Sequence, residues 1–294
     1  MQFWKVTLIG GLLLLLAPVP SFGQRLPQQR YTHFPWTYDR TVSAGIGAEG
    51  TAFTFLGRSR PDTLSGYAAL AIPLPPIRGA IGGYYHQQLG TTQQLSEWGL
   101  GYTLFLPFTE ETNLRLGVQQ NWHSLRHTGQ PEGGTPKPDQ QLTSTDFSGL
   151  LRRDNLLLGL SMENALNKGQ RQYNALLGFR ELQSYSWLRS SSFLLVQIQD
   201  GRELPEFRFN YTGTVLNTLL LGGSYYKNGL YQWGANAGFK FFRSLWLVAG
   251  ADFKGFTTQP DALELGLRLN VGRGRIRPAA DEDRRSSRLW EEGP

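Results

Sequence analysis

The residues of this chain that could carry chemistry are few and widely spaced. His123 and His127 are four apart, a spacing that presents two imidazoles to one metal ion on a helix. Here they fall at a predicted strand end and in a loop, and no adjacent carboxylate or third ligand accompanies them, so we predict no metal site. Because the chain has no Cys, thiol nucleophiles, thiolate-bound metals and disulfides are excluded.

Acid–base and phosphate-binding patterns are also weak. Glu110 and Glu111 lie in a predicted turn, where solvated charge is the simpler interpretation. His86 lies on a predicted strand without an identifiable serine partner, so a lipid-hydrolysing barrel would lack an assignable nucleophile and base. The Gly-x-Gly motifs lack the following helix and lysine of a phosphate loop and indicate close strand packing; they begin at Gly45, Gly99 and Gly272. We expect neither an enzyme nor a bound cofactor.

The elements that position these residues are strands. The 294 residues include 35 Gly, 17 Phe, 12 Tyr and 8 Trp, and only 18% are charged, a composition rich in residues that turn, pack closely and stack. The net charge is +6, but no basic helix or basic run occurs, so we predict no nucleic-acid partner.

The N-terminal segment has the pattern of a secretory signal peptide. Lys5 precedes an apolar run from Val6 to Leu16, and two prolines and the ending Ser21-Phe22-Gly23 follow. We therefore expect residues 1–23 to be a leader and the mature chain to begin at Gln24. No later apolar stretch is long enough for a membrane helix.

From Val42 onward, apolar residues recur at every second position, which is the period of a strand. From Tyr231 to Phe241, for example, one face carries aromatic residues and alanines while the other carries Gln, Gly, Asn and Lys. About 14 such segments of ~9 to 11 residues predict an all-β fold, an antiparallel transmembrane β-barrel of the outer-membrane type. The organisation expected is a periplasmic lead-in at residues 24–41, a barrel at 42–271 and a polar tail at 272–294.

The connections give an orientation. Links after odd-numbered strands read longer than links after even-numbered ones, with 181–189 as the exception, which places the N-terminus in the periplasm. Aromatic residues near strand ends suit interfacial girdles, and some of them must serve ordinary packing; they are Tyr84, Tyr85, Trp98, Trp122, Tyr225, Tyr226, Tyr231, Trp233 and Trp246.

Several glycine-and-strand stretches resemble the PorP/SprF family of type IX secretion outer-membrane proteins of Bacteroidota. They are Leu114 to Val118, Phe147 to Asn167, Pro205 to Asn210, Leu219 to Tyr226 and Glu264 to Leu267. The resemblance implies an outer-membrane component that supports secretion or surface attachment of cargo, including adhesins of gliding motility. It also implies type IX secretion components and cargo with C-terminal sorting domains as partners, besides outer-membrane lipid.

The polar strand faces would line the lumen. Their charged members are Arg115, Arg208, Lys240, Asp252, Lys254, Glu264 and Arg268. Salt bridges that fill and stiffen the lumen are the preferred interpretation, because side chains of this length can occlude much of a ~14-strand bore. An ion-selective lumen is the other. The alternative function is accordingly a passive outer-membrane channel for small solutes.

The tail alternates in charge and is expected to be disordered in the periplasm. We predict that Leu289 and Trp290 form a docking handle for a peptidoglycan-binding or export-machinery partner. Deleting residues 273–294 should then abolish pull-down of that partner or reduce cargo secretion. Normal pull-down and secretion after the deletion would refute the handle.

Overall fold

The structure is a computed structural model that describes residues 51–109, 112–127, 139–166, 171–185, 187–201, 205–216, 218–228, 230–241, 244–255, 257 and 259–271. The predicted leader, the lead-in, residues 42–50 of the predicted first strand, and the tail with Leu289 and Trp290 lie outside these residues. Within the described ranges, no helix has the length and apolar character needed to span a membrane.

Fourteen strands form the described part of the chain, as the alternation predicts. They are β1 (Thr51–Arg60), β2 (Thr63–Leu74), β3 (Gly79–Gly90), β4 (Gln93–Pro107), β5 (Thr112–His127), β6 (Gln140–Arg153), β7 (Leu156–Glu163), β8 (Gln172–Tyr185), β9 (Leu188–Gln199), β10 (Glu206–Val215), β11 (Leu219–Asn228), β12 (Leu230–Phe241), β13 (Leu245–Lys254) and β14 (Ala262–Val271).

The sheet is a closed barrel. Each strand pairs antiparallel with its neighbours in sequence, and β1 pairs with β14 to complete the ring. In that seam Thr51 lies opposite Val271 and Arg58 lies opposite Glu264. Closure leaves no unpaired sheet edge, which is the condition for a β-structure to exist in hydrocarbon. The predicted fold class is confirmed.

The two ends of the barrel differ in their connections. Links after even-numbered strands are short, from the two residues 154–155 to the four residues 75–78, and Thr51 and Val271 lie at the same end. We call this the short-turn end. At the opposite, long-link end the connections include 128–139 and 164–171, although 61–62 and 91–92 are as tight as any even link. The expected asymmetry therefore holds for only some of the odd links.

Several strand boundaries differ from the sequence pattern, which predicts links at residues 58–62, 89–93, 124–144, 181–189 and 227–230. In the largest of these links, β5 continues to His127 and β6 begins at Gln140. Residues 58–62 were expected to form a link, but β1 continues to Arg60 because Arg58 and Arg60 keep pairing with β2. Residues 181–189 were expected to form a long even link, but β8 runs to Tyr185 and β9 begins at Leu188. Register shifts interrupt the β8–β9 pairing after Phe179, and they remove the two-residue period from the sequence pattern.

The outer face of the wall is apolar. Leucine and aromatic side chains point away from the lumen and are exposed, including Leu160 at 69%, Leu265 at 57% and Phe55 at 50%. Trp98 and Trp122 stack on this face with ring centroids 3.9 Å apart. Such a surface is unfavourable in water and favourable in hydrocarbon, so the barrel spans a membrane.

Three residues of the expected girdle point inward instead. The Tyr84 hydroxyl donates to the Glu97 carboxylate, the Tyr226 hydroxyl donates to Glu206 Oε2 at 2.7 Å, and Trp246 is buried beneath Lys240. Consecutive strand residues point to opposite faces, so only one residue of each Tyr-Tyr pair could join a girdle. The other girdle residues lie on the outer face as predicted: Tyr85, Trp98, Trp122, Tyr225 and Trp233. The Tyr231 side chain is not among those that the structure describes.

The inner face carries apolar clusters as well as polar groups. One cluster lies across the seam of the barrel. It joins Leu220 on β11, Trp246 and Val248 on β13, Leu56 on β1 and Tyr67 on β2. A second comprises Leu150, Leu157, Leu176, Phe193 and Leu195 on β6 to β9. The sequence signal for both was a run of consecutive apolar residues, such as Leu245 to Val248, which marks a strand that is apolar on both faces.

Placing a charge on the outer face tests the membrane assignment. Leu160→Arg should destabilise the folded barrel in lipid by about 2 to 4 kcal/mol, because the charge enters hydrocarbon near the middle of β7. Leu89→Arg, next to a link at the end of β3, should cost only about 0 to 1 kcal/mol. Urea unfolding in liposomes measures both. Equal costs at the two sites would contradict a depth-dependent lipid environment.

Candidate functional site: the barrel lumen

All seven charged residues predicted for the lumen lie on the inner face by register. Arg115, Asp252, Glu264 and Arg268 are buried, Arg208 and Lys240 are half-buried, and Lys254 is exposed at the long-link end. The register that fixes this face is continuous: Lys254 opposes Gln232, which opposes Tyr226, which opposes Arg208. The structure distributes these residues around the wall and does not gather them into one site.

The most deeply buried ion pairs join the seam of the barrel. Arg58 on β1 contacts Asp252 Oδ2 on β13 at 2.6 Å and Glu264 Oε1 on β14 at 2.9 Å. The three side chains are between 0% and 4% exposed. Sequence reasoning found both carboxylates but missed Arg58, because it fell in a predicted link. The available signal was the alternate spacing of Thr54, Leu56, Arg58 and Arg60.

A second polar network lies on β3 to β6. The Tyr84 hydroxyl, besides its bond to Glu97, lies 2.9 Å from Asn121 Oδ1. Asn121 Nδ2 donates to Ser144 Oγ at 3.1 Å and to Asp146 Oδ2 at 2.7 Å. Asp146 Oδ1 also accepts the backbone N–H of Asn164 at 2.9 Å. Each carboxylate therefore has neutral donors, which reduces the cost of its burial.

A third network continues around the wall on β7 to β9. Asn174 Nδ2 donates to Ser161 Oγ at 2.9 Å and to Glu163 Oε1 at 2.8 Å. Its Oδ1 accepts from Gln172 Nε2 at 2.9 Å and from Gln197 Nε2. This amide uses both of its polar atoms, so it stiffens the wall locally.

Two histidines, His86 and His123, lie beside Glu97. His86 Nδ1 is 3.9 Å and His123 Nδ1 is 3.8 Å from Glu97 Oε2. His123 Nε2 also lies 3.1 Å from Ser144 Oγ. Within the described ranges no group of three or more His, Asp or Glu residues is arranged to hold a metal ion. His127, the other member of the predicted pair, lies at the end of β5.

Inward charges are unevenly distributed along the lumen. The inward carboxylates whose side chains the structure describes lie in the middle or toward the long-link end, where the cations Arg58, Arg208 and Lys254 also lie; they are Glu97, Asp146, Glu163, Glu206, Asp252 and Glu264. The side chain of Glu181, toward the short-turn end of β8, lies outside the described residues. Five inward cations lie toward the short-turn end, and we call them the basic ring: Arg115, Arg152, Arg189, Lys240 and Arg268. Sequence reasoning found three of the five. It missed Arg152, which borders a predicted link, and Arg189, which falls inside the link predicted at residues 181–189.

Breaking the seam network should be costly. Arg58→Gln leaves two buried carboxylates without their cation, and we expect a loss of about 3 to 5 kcal/mol of unfolding free energy. Adding Asp252→Asn and Glu264→Gln should recover much of that loss, since no uncompensated charge then remains. Lys254→Gln is the control: its exposed ion pair with Asp261 predicts a change of about 1 kcal/mol or less. Urea titration of tryptophan fluorescence in detergent reports all three, and equal losses for Arg58→Gln and the control would contradict the role of the network.

Comparison with known proteins places the fold. Neither a protein-family model nor a curated protein sequence matches the chain. The outer membrane protein Omp33 of Acinetobacter baumannii superposes with a TM-score of 0.52 at 10% identity, covering 76% of this chain and 100% of that one. The KdgM porin, solved in complex with disordered oligogalacturonate, gives a TM-score of 0.41 at 6% identity, covering 75% and 99% of the two chains. At this identity the similarity concerns architecture alone. With its closed wall and apolar outer face, the chain is a 14-stranded outer-membrane β-barrel.

Proposed function

We propose that the protein is a passive outer-membrane channel for small solutes. The observation that carries the proposal is an inner wall, rich in charged and amide side chains, on which partly accessible residues occur toward both ends and between them. A wall of 14 strands also encloses more space than the side chains of one layer fill, since about eight strands suffice for a filled interior and about 16 to 18 form open porins.

Accessible side chains occur on the inner face from one end to the other. Arg208, Tyr226 and Gln232 are half-buried toward the long-link end. Ser148 is half-buried at intermediate height, and Thr54, Ala69, Lys240 and Asn270 are half-buried toward the short-turn end. A continuous set of this kind supports a water-containing path through the barrel.

The path is narrow. Much of the inner wall on β3 to β9 is fully buried, including His86, Thr103 and Leu150 at 0 to 1% exposure. The networks of Tyr84 and Asn174 hold these side chains in fixed positions. A narrow, stiff lumen favours ions and small solutes over folded or extended protein chains.

A role in type IX secretion is the second candidate. The stretches that resemble the PorP/SprF family include the β6–β7 and β10–β11 hairpins, and their common feature is a pattern of glycines and alternating strands. Partners of that system would act at the barrel mouths or through the tail. If the purified protein carries no current while a strain lacking it loses secreted cargo, the secretion role replaces the channel.

Narrowing the lumen tests the channel directly. Thr54→Trp adds an indole to the inner face opposite Arg268 and should lower single-channel conductance in planar bilayers at least about twofold, because it fills accessible space. Phe53→Trp, the neighbouring position on the outer face, should leave conductance unchanged. A wild-type protein that inserts without conducting, or equal conductance in the two variants, would argue against a solute path through the barrel.

A further inference from the structure

His123 lies between a serine hydroxyl and a carboxylate on the inner face of the barrel. We propose that Ser144, His123 and Glu97 form a nucleophilic site in the lumen wall that hydrolyses small carboxylic esters. The proposal goes beyond the channel function and requires only that substrate enter from the long-link end. Sequence reasoning found no serine partner for a strand histidine, because Ser144 fell in the link predicted at residues 124–144.

The two ring nitrogens of His123 face different partners. Nε2 lies 3.1 Å from Ser144 Oγ, and Nδ1 lies 3.8 Å from Glu97 Oε2. In this order of groups, a neutral imidazole takes the proton of the serine hydroxyl while the carboxylate stabilises the imidazolium that forms. The contact between Nδ1 and the carboxylate is longer than a hydrogen bond, and such contacts in substrate-free sites shorten when substrate binds.

The contact between Asn121 and Ser144 favours the same assignment. Asn121 Nδ2 donates to Ser144 Oγ at 3.1 Å, so the hydroxyl oxygen accepts there and its own hydrogen can be donated to His123 Nε2. The second hydrogen of this amide nitrogen is donated to Asp146 Oδ2 at 2.7 Å, which fixes the orientation of the amide. The amide nitrogen therefore lies beside the position where the carbonyl oxygen of an ester gains negative charge when Oγ attacks.

Paired strands hold these side chains in place. Glu97 lies directly opposite His123 across β4 and β5, and Asn121 lies directly opposite Ser144 across β5 and β6. The Tyr84 hydroxyl donates to Glu97 Oε1, which leaves Oε2 on the side of His123. Groups mounted on strands and fixed by a further layer of hydrogen bonds are preorganised, as acyl transfer requires.

The site lies where a small solute can reach it. The exposed fraction of the side chain rises from 1% for His86 to 8% for Glu97 and 11% for His123. Ser144 is 6% exposed, so only a small acyl group fits beside its hydroxyl. The site is on the inner face, on the other side of the wall from the stacked Trp98 and Trp122, so its substrate is a water-soluble ester and not a membrane lipid.

The reaction proceeds in two steps. Ser144 Oγ attacks the carbonyl carbon of the ester while its proton passes to His123 Nε2. The bond from the carbonyl carbon to the alcohol oxygen then breaks, and the alcohol leaves with that proton. In the second step water attacks the acyl-serine with the same base, the acid is released and the serine hydroxyl is restored. One ester and one water give one acid and one alcohol.

The test is covalent labelling of the full-length protein folded in detergent. A fluorescent fluorophosphonate reacts with a serine that is activated as a nucleophile, and we expect the label on Ser144 when peptides of the wild-type protein are mapped by mass spectrometry. Heat-unfolded protein is the blank. Hydrolysis of p-nitrophenyl acetate by the same preparation should fall at least about 100-fold in Ser144→Ala and in His123→Gln.

Glu97 is a positioning residue and needs a different readout. Glu97→Gln should lower kcat at least about tenfold with little change in KM, because the carboxylate acts on the imidazolium formed during the reaction and not on the bound ester. A purely structural role would lower the amount of folded, heat-modifiable barrel on gels and leave kcat per folded molecule unchanged.

Ser148→Ala is the matched control, since Ser148 lies on the same inner face of β6. Labelling and hydrolysis should both stay at their wild-type values in this variant. The proposal is overturned if no label attaches to folded wild-type protein, if the label maps to a residue other than Ser144, or if hydrolysis persists in Ser144→Ala. Mapping of the wild-type protein decides the question even where a variant fails to fold, and a barrel without conductance would overturn the channel alone.

Discussion

The constraint on which this structure depends is that hydrocarbon offers no hydrogen bonds to a peptide backbone. Every N–H and C=O within the membrane must pair with another strand, and the pairing of β1 with β14 is the step that satisfies the last two edges. The ion pairs of Arg58 lie across this same seam, and the one with Asp252 joins residues 194 positions apart in the sequence. This deeply buried charge network therefore depends on closure of the wall, because only closure brings Arg58 on β1 next to the carboxylates on β13 and β14.

Closure gives each strand one face in lipid and one in the lumen, and the inner face serves two purposes. Apolar clusters and amide networks cover much of it and stiffen the wall, while charged side chains such as Arg208 and Lys240 remain partly exposed. Close approach between strands makes this possible: a Cβ on Gly99 would collide with the Tyr84 ring and Asn121 Oδ1, so the absence of a side chain there allows Tyr84 to reach Glu97 and Asn121. The inner wall therefore combines buried polar networks with apolar clusters.

In strands with clean alternation, the inward and outward residues could be predicted from the sequence, because the outer face contacts lipid and lipid accepts only apolar side chains. Arg115, Lys240 and Glu264 are such cases, each between two apolar neighbours. Trp246 could not be assigned, since the lumen tolerates both polar and apolar residues and an inward tryptophan breaks no physical rule. The partner of Asp252 was also beyond prediction, because Arg58 approaches it only after the ends of the barrel meet. The end of β8 was obscured by its register shifts, which cancel the period on which the inference relied.

Labelling of introduced cysteines tests the central claim most directly, because the chain has no cysteine of its own. Single substitutions at Thr54 and Ser148 on the inner face, and at Phe55 and Phe147 on the outer face, would be treated in liposomes with a charged, membrane-impermeant thiol reagent. A water-containing lumen inside a lipid-facing wall predicts rapid reaction at Thr54→Cys and Ser148→Cys and protection at Phe55→Cys and Phe147→Cys. Equal reaction on both faces would contradict the lipid-facing wall, and protection on both would contradict the open lumen.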